Sequence, residues 1–164
     1  MTGKSEFNAE EWSMLMEGPP TAGMMVITAQ RGGTIRESIS MGRVYTEARE
    51  QHSGSELLGE LVAGMPEFDR ERFRSVDDVR TQGSQLLRDA SALIDERGTP
   101  EEAEAYKRFV LTVAERAAEA HKEGGFLGVG GKRVSEEEDS VLGEIAETLG
   151  IERAGTGESE PGGG

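Results

Sequence analysis

The sequence predicts an all-α fold, a single-domain helical bundle of about five to seven helices. Hydrophobic residues recur at steps of three and four along most of the chain, as they do on one face of an α-helix. Aromatic residues make up only 5% of the chain, so the core must be largely aliphatic, which suits packed helices better than a sheet. Helix-capping sequences also recur where the periodic segments begin. We expect residues 1–152 to form the domain and the glycine-rich, acidic residues 153–164 to be disordered.

The first helix is predicted to begin at a capping box, with Asn8 as the cap and Glu11 three residues later. The Gly-Pro-Pro sequence at 18–20 predicts its end, because proline has no N–H to donate within a helix. Residues 21–29 then read as a separate buried helix, since the chain offers no second strand-like run for them to pair with.

Three helices are predicted in the middle of the chain. Thr34 opens one that runs to about residue 51, and Ser55 caps a short, leucine-rich one. Ser75 opens a longer helix, and Gly98 ends it.

The last two helices have the clearest boundaries. Thr99 and Pro100, followed by two glutamates, predict the start of a helix that runs to about Glu123. Its apolar seam, which should be the spine of the bundle, consists of Ala103, Tyr106, Val110, Val113, Ala117 and Ala120. Ser135 opens the final helix, and Gly150 is placed to stop it in a Schellman motif.

The charge of the chain argues against several classes of partner. With 32 acidic and 18 basic residues the net charge is −14, which repels phosphate backbones and anionic membranes. We therefore expect no nucleic-acid binding, and no apolar run is long enough for a membrane span. The acidic surplus with few lysines is typical both of proteins from a high-salt cytoplasm and of ordinary acidic proteins from GC-rich genomes. The chain contains no cysteine, and its first residues lack a signal-peptide pattern, so we expect a cytoplasmic protein.

The glycine-rich loop at 124–131 fails each phosphate-binding pattern. In the register of a P-loop, Phe126 stands where the first glycine is required, and Arg133 replaces the final serine or threonine. The dinucleotide fingerprint also fails, because Arg133 stands where its third glycine would be. No nucleophile–base arrangement or cofactor motif is present. The sequence therefore predicts a protein that is not an enzyme and has no cofactor, with an enzyme of unknown class as an alternative.

A second alternative is a divalent-cation site beside the 124–134 loop. Carboxylate oxygens are the ligands that calcium and magnesium prefer. Glutamates flank the loop on both sides, so the candidate metal ligands are Glu123, Glu136, Glu137 and Glu138. The same glutamates would also suit a solvated helix start, where the helix dipole favours acidic side chains.

The segment 121–151 resembles the TerB-like family of helical proteins, which is associated with tellurite resistance and wider stress responses. The resemblance rests on Glu123-Gly124 after one helix, Ser135 with Glu138 at the start of the next, and Leu149-Gly150-Ile151 at its end. This chain has Glu123 where the family usually has aspartate, and its loop is longer. The chain as a whole also looks like small uncharacterised prokaryotic helical proteins.

These observations predict a non-enzymatic, cytoplasmic interaction module or a stress-associated, TerB-like protein. Its partner would be an unknown protein or a second copy of the chain. Ser38 and Gly42, two small residues four apart, could let another helix approach closely. The first quarter is rich in methionine, which serves either as an adaptable core filler or as a partner surface; these residues are Met14, Met16, Met24, Met25 and Met41.

The cation hypothesis predicts a saturable heat signal when the full chain is titrated with calcium or magnesium in low-salt buffer. Replacing Glu136, Glu137 and Glu138 together by glutamine should abolish the signal, since the neutral amides bind a hard cation less well than carboxylates do. Isothermal titration calorimetry measures this, and a chain that gives no heat with either ion would rule out the site.

Overall fold

The computed structural model describes residues 4–28, 50, 56–63, 75–124 and 136–152. A short 3-10 helix, Lys4–Glu6, precedes five α-helices in this part of the chain: α1 (Ala9–Ile27), α2 (Glu56–Ala63), α3 (Val76–Arg97), α4 (Pro100–Gly124) and α5 (Glu136–Leu149). These residues include no strand, so the prediction of an all-α fold is confirmed. None of the helices described is long and apolar enough to cross a membrane. The helix predicted at 34–51, with Ser38, Met41 and Gly42, and the tail at 153–164 lie outside the described residues.

Helix α4 lies at the centre of the bundle, as its apolar seam predicts. It packs against α1 over the largest helix–helix interface, and it also contacts α2, α3 and α5. Tyr106 of the predicted seam is fully buried, and so is Phe109 beside it. Four more residues of the predicted seam are buried with them: Ala103, Val110, Val113 and Ala117.

The capping sequences at Asn8, Ser75 and Thr99 form the hydrogen bonds that they predict, whereas the predicted caps Thr34, Ser55 and Ser135 lie outside the described residues. The Asn8 Oδ1 atom accepts from the Glu11 N–H at 2.8 Å, and the Asn8 N–H donates to Glu11 Oε2 at 2.9 Å. Thr99 and Glu102 make the same reciprocal pair at 3.1 and 3.0 Å. Ser75 Oγ accepts from the N–H three residues later at 3.1 Å. Each cap satisfies main-chain donors that the first turn of a helix leaves without a partner.

The predicted Schellman stop of α5 is confirmed. The Ile151 N–H donates to the Ala146 carbonyl at 3.0 Å, and the Gly150 N–H reaches the Glu147 carbonyl at 3.1 Å. Gly150 has a φ of 78°, a left-handed conformation that glycine adopts without the steric cost of a Cβ atom. Ile151 is half-buried and packs against the core. The last turn of α5 is therefore fixed to the bundle.

The prediction that residues 18–20 end the first helix is wrong. Helix α1 runs without interruption from Ala9 to Ile27, with Pro19 and Pro20 inside it. The separate helix predicted at 21–29 is the second half of α1. Because proline has no N–H, Pro19 cannot donate to the Leu15 carbonyl one turn earlier. A proline inside a helix costs about 3 kcal/mol, so the continuity of α1 needs an explanation from the rest of the fold.

Tyr106 supplies part of that explanation. Its hydroxyl donates to the Leu15 carbonyl at 2.8 Å, across 91 residues of sequence, and both residues are fully buried. The carbonyl that loses its helical donor at Pro19 is therefore satisfied by α4. Since a buried carbonyl without a partner costs about 1–3 kcal/mol, this bond offsets part of the penalty for Pro19. Pro20 leaves the Met16 carbonyl without its helical donor in the same way.

Gly18 makes room for the Tyr106 hydroxyl. A Cβ atom built on Gly18 would lie 2.3 Å from Tyr106 Oη, closer than non-bonded atoms can come. Gly18 and Pro19 thus have complementary roles in α1. Pro19 leaves the Leu15 carbonyl without its helical donor, and Gly18 leaves the space in which the Tyr106 hydroxyl reaches that carbonyl.

Tyr106→Phe should destabilise the protein by about 1–3 kcal/mol, because it leaves the buried Leu15 carbonyl without a donor. In a Pro19→Ala background residue 19 regains its N–H, so there the same change should cost less than about 1 kcal/mol. Urea denaturation of the wild type, the two single variants and the double variant gives the coupling free energy between the two positions. Additive effects of the two changes would show that Tyr106 does not compensate for Pro19.

Gly18→Ala should destabilise the protein by about 1–3 kcal/mol, because the new methyl group displaces Tyr106 from the Leu15 carbonyl. Gly59 and Gly143 are matched controls, since each lies in a helix and a Cβ built there meets nothing within 4 Å. Alanine at either control should stabilise its helix by up to about 1 kcal/mol. Thermal unfolding compares the three variants, and a Gly18 variant as stable as the controls would contradict the close approach of Tyr106.

Candidate functional site

The predicted cation ligands fall on two helices at the ends of the 124–134 loop. Glu123 belongs to the last turn of α4, and Glu136, Glu137 and Glu138 to the first turn of α5. Their side chains lie outside the described part of the structure, so the cation site stays a prediction. Among the side chains that are described, no three histidine, aspartate or glutamate residues are grouped closely enough to hold a metal ion.

Helices α1 and α3 lie antiparallel, and this arrangement builds the candidate site. At the end of α3, Arg97 donates to the Glu11 carboxylate at 2.8 Å and to the Glu6 carbonyl at 2.9 Å, both near the start of α1. Near the start of α3, a Cβ built on Gly83 would lie 2.9 Å from the Met25 sulfur, near the end of α1. The two helices are therefore tied by a charged contact at one end and in close contact at the other.

An open groove of about 520 Å³ lies between these two helices. We call it the α1–α3 groove. Each wall is one stripe of residues three or four apart on a helix, so both walls span two turns. The α1 wall consists of Glu10, Ser13, Met14 and Glu17, and the α3 wall of Gln82, Gln85, Leu86 and Asp89.

The lining of the α1–α3 groove combines negative charge with a small apolar centre. Its charged side chains are the carboxylates of Glu10, Glu17 and Asp89, and no basic side chain among the described residues lines it, although Arg88 donates to Gln85 Oε1 of the α3 wall at 3.3 Å. Met14 is half-buried and packs against the core, and Leu86 is buried. Polar groups around an apolar centre are the usual anatomy of a binding surface.

A second groove, of about 410 Å³, lies where the end of α3 and the start of α4 meet residues 150–152. Here the charges serve the fold. Lys107 donates to both oxygens of Asp95 at 2.7 and 2.8 Å and joins α4 to α3. Arg108 Nη1 donates to the Glu152 carbonyl at 2.9 Å, and Arg108 Nε lies 3.6 Å from Glu104 Oε2. The basic and acidic groups of this groove therefore hold helices together, in contrast to the all-acidic charge of the α1–α3 groove.

No family model, no curated protein and no solved structure matches this chain. The resemblance to TerB-like proteins and the association with stress thus stay predictions.

The α1–α3 groove was not predicted from the sequence. Part of its signal is visible in the sequence: Glu10 and Glu17 stand seven residues apart on one helical face, with Met14 between them. The other wall lies more than sixty residues later, and only the antiparallel packing of α3 brings it beside the first.

Proposed function

We propose that this chain is a non-enzymatic, cytoplasmic interaction protein that binds a partner through the α1–α3 groove. The observation that carries the proposal is the groove itself, which has an apolar centre and polar walls on two neighbouring helices. An open groove of this kind suits a segment of another protein better than a small substrate, which enzymes usually enclose.

Contacts outside the α1–α3 groove hold both of its walls in place, which favours binding. Arg97 joins the end of α3 to Glu11, and Glu11 also belongs to the capping box that starts α1. Further along α1, Tyr106 holds the Leu15 carbonyl on the side of α4. Because both walls are ordered before a partner arrives, binding does not have to overcome the entropy of ordering them.

Two of the three buried serine and threonine hydroxyls in the described residues, those of Thr28 and Ser91, support the non-enzymatic part of the proposal; the third, Thr21 Oγ1, has no hydrogen-bond partner. Thr28 Oγ1 donates to the Met24 carbonyl at 2.8 Å, at the end of its own helix. Ser91 Oγ lies 3.5 Å from the Leu149 carbonyl, where α3 packs against the end of α5. Both hydroxyls contact main-chain carbonyls rather than a base that could activate them.

Site-specific photo-crosslinking in the native host tests the proposal. A benzophenone amino acid at Gln82 or Gln85, both exposed on the groove wall, should give an adduct of one and the same protein. The same probe at Glu101 or Glu147, exposed positions on α4 and α5, should not. A Ser13→Trp change should suppress the Gln82 adduct, because an indole ring at this position on the opposite wall fills part of the groove.

Circular dichroism and thermal unfolding must first show that each variant keeps the wild-type helix content. Adducts that form equally well at all four positions, or that Ser13→Trp leaves unchanged, would show that the groove is not the binding surface. No adduct at Gln82 and Gln85 would argue against the interaction function itself.

A further inference from the structure

We infer that the α1–α3 groove accepts a cationic, amphipathic helix of another protein, with one apolar anchor residue and basic residues on either side of it. This inference rests on the proposed interaction function and adds the chemistry of the partner.

The negative charge of the α1–α3 groove favours a partner segment with positive charge. Glu10 and Asp89 are exposed carboxylates on opposite walls, and Glu17 is a third carboxylate on the α1 wall. The whole chain carries a net charge of −14, which attracts a cationic segment at long range. Complementary charge of this kind increases the rate of association and disfavours the wrong partners.

The same charges argue against two other occupants. A second copy of the chain would bring its own acidic surface against these carboxylates, and like charges brought together at an interface cost several kcal/mol. A phosphate-bearing ligand, such as a nucleic acid, would meet the same repulsion.

The apolar centre and the length of the groove select the form of the partner. Met14 has a flexible thioether that adapts to an incoming side chain, and Leu86 lies across from it on α3. Glu10 and Glu17 are seven residues apart, or about 10 Å along α1. A helix of two to three turns presents residues seven apart on one face, so one apolar residue between two basic ones matches the groove.

A synthetic helix tests the inference directly. The probe is a fluorescein-labelled, alanine-based peptide of 18 residues with a leucine at position 9 and arginines at positions 5, 6, 12 and 13. Its first control has the same composition, but its arginines are moved to the face opposite the leucine. Its second control has alanine at position 9. Fluorescence anisotropy in low-salt buffer should show saturable binding of the probe to the full-length chain, with both control peptides at least about fivefold weaker.

Variants of the protein locate the binding. Glu10→Gln with Asp89→Asn should weaken binding of the probe about fivefold, because two exposed ion pairs are lost. Glu101→Gln with Glu147→Gln is the matched control, since it changes the net charge equally and Glu101, like Glu10, is an acid in the first turn of its helix. The control should change the affinity by less than about twofold.

The results also separate this inference from the proposed function. If the probe fails to bind, or if both double variants weaken it equally, the cationic helix is ruled out, while crosslinks at Gln82 and Gln85 would still support an interaction protein. If spermine displaces the probe at equal charge concentration, the groove recognises positive charge alone, and the helical partner is ruled out. Tight binding of the probe without crosslinks in the host would support the chemistry of the groove and contradict the proposed function.

Discussion

The hydrogen bond from Tyr106 to the Leu15 carbonyl is the interaction on which the arrangement of this bundle depends. It satisfies the carbonyl that Pro19 leaves without its helical donor, and the continuous α1 packs along both α3 and α4. The first half of α1 supplies one wall of the groove, and the second half meets α3 at Gly83. A single buried hydroxyl therefore links the central helix to the helix that carries the candidate site.

Local chemistry made most of the fold predictable. Capping residues such as Asn8 and Thr99, and the stop at Gly150, act through hydrogen bonds to main-chain groups within a few residues, so their sequence signals are sufficient. Pro19 was misinterpreted because its effect is not local. Whether a proline ends a helix depends on whether the freed carbonyl finds another donor, and here that donor is 91 residues away.

The candidate site was less predictable than the fold for a related reason. A sequence displays neighbouring charges, such as Glu136, Glu137 and Glu138, far more clearly than charges that packing brings together. Glu10 and Asp89 belong to different helices, and their shared groove follows from the antiparallel contact that Arg97 makes with Glu11. Helical periodicity indicates which face of a helix is buried, but not which helix lies beside it.

The long-range bond to Leu15 also has a consequence for synthesis of the chain on the ribosome. Residues emerge N-terminal end first, so α1 leaves the ribosome long before Tyr106 exists to bond to its carbonyl. During that interval water hydrates the Leu15 carbonyl, and the apolar residues of α1, including Leu15 and Met25, have no α4 to cover them. The nascent chain thus exposes the apolar face of α1 until α4 has emerged, and in that interval this face is a surface that a chaperone can bind.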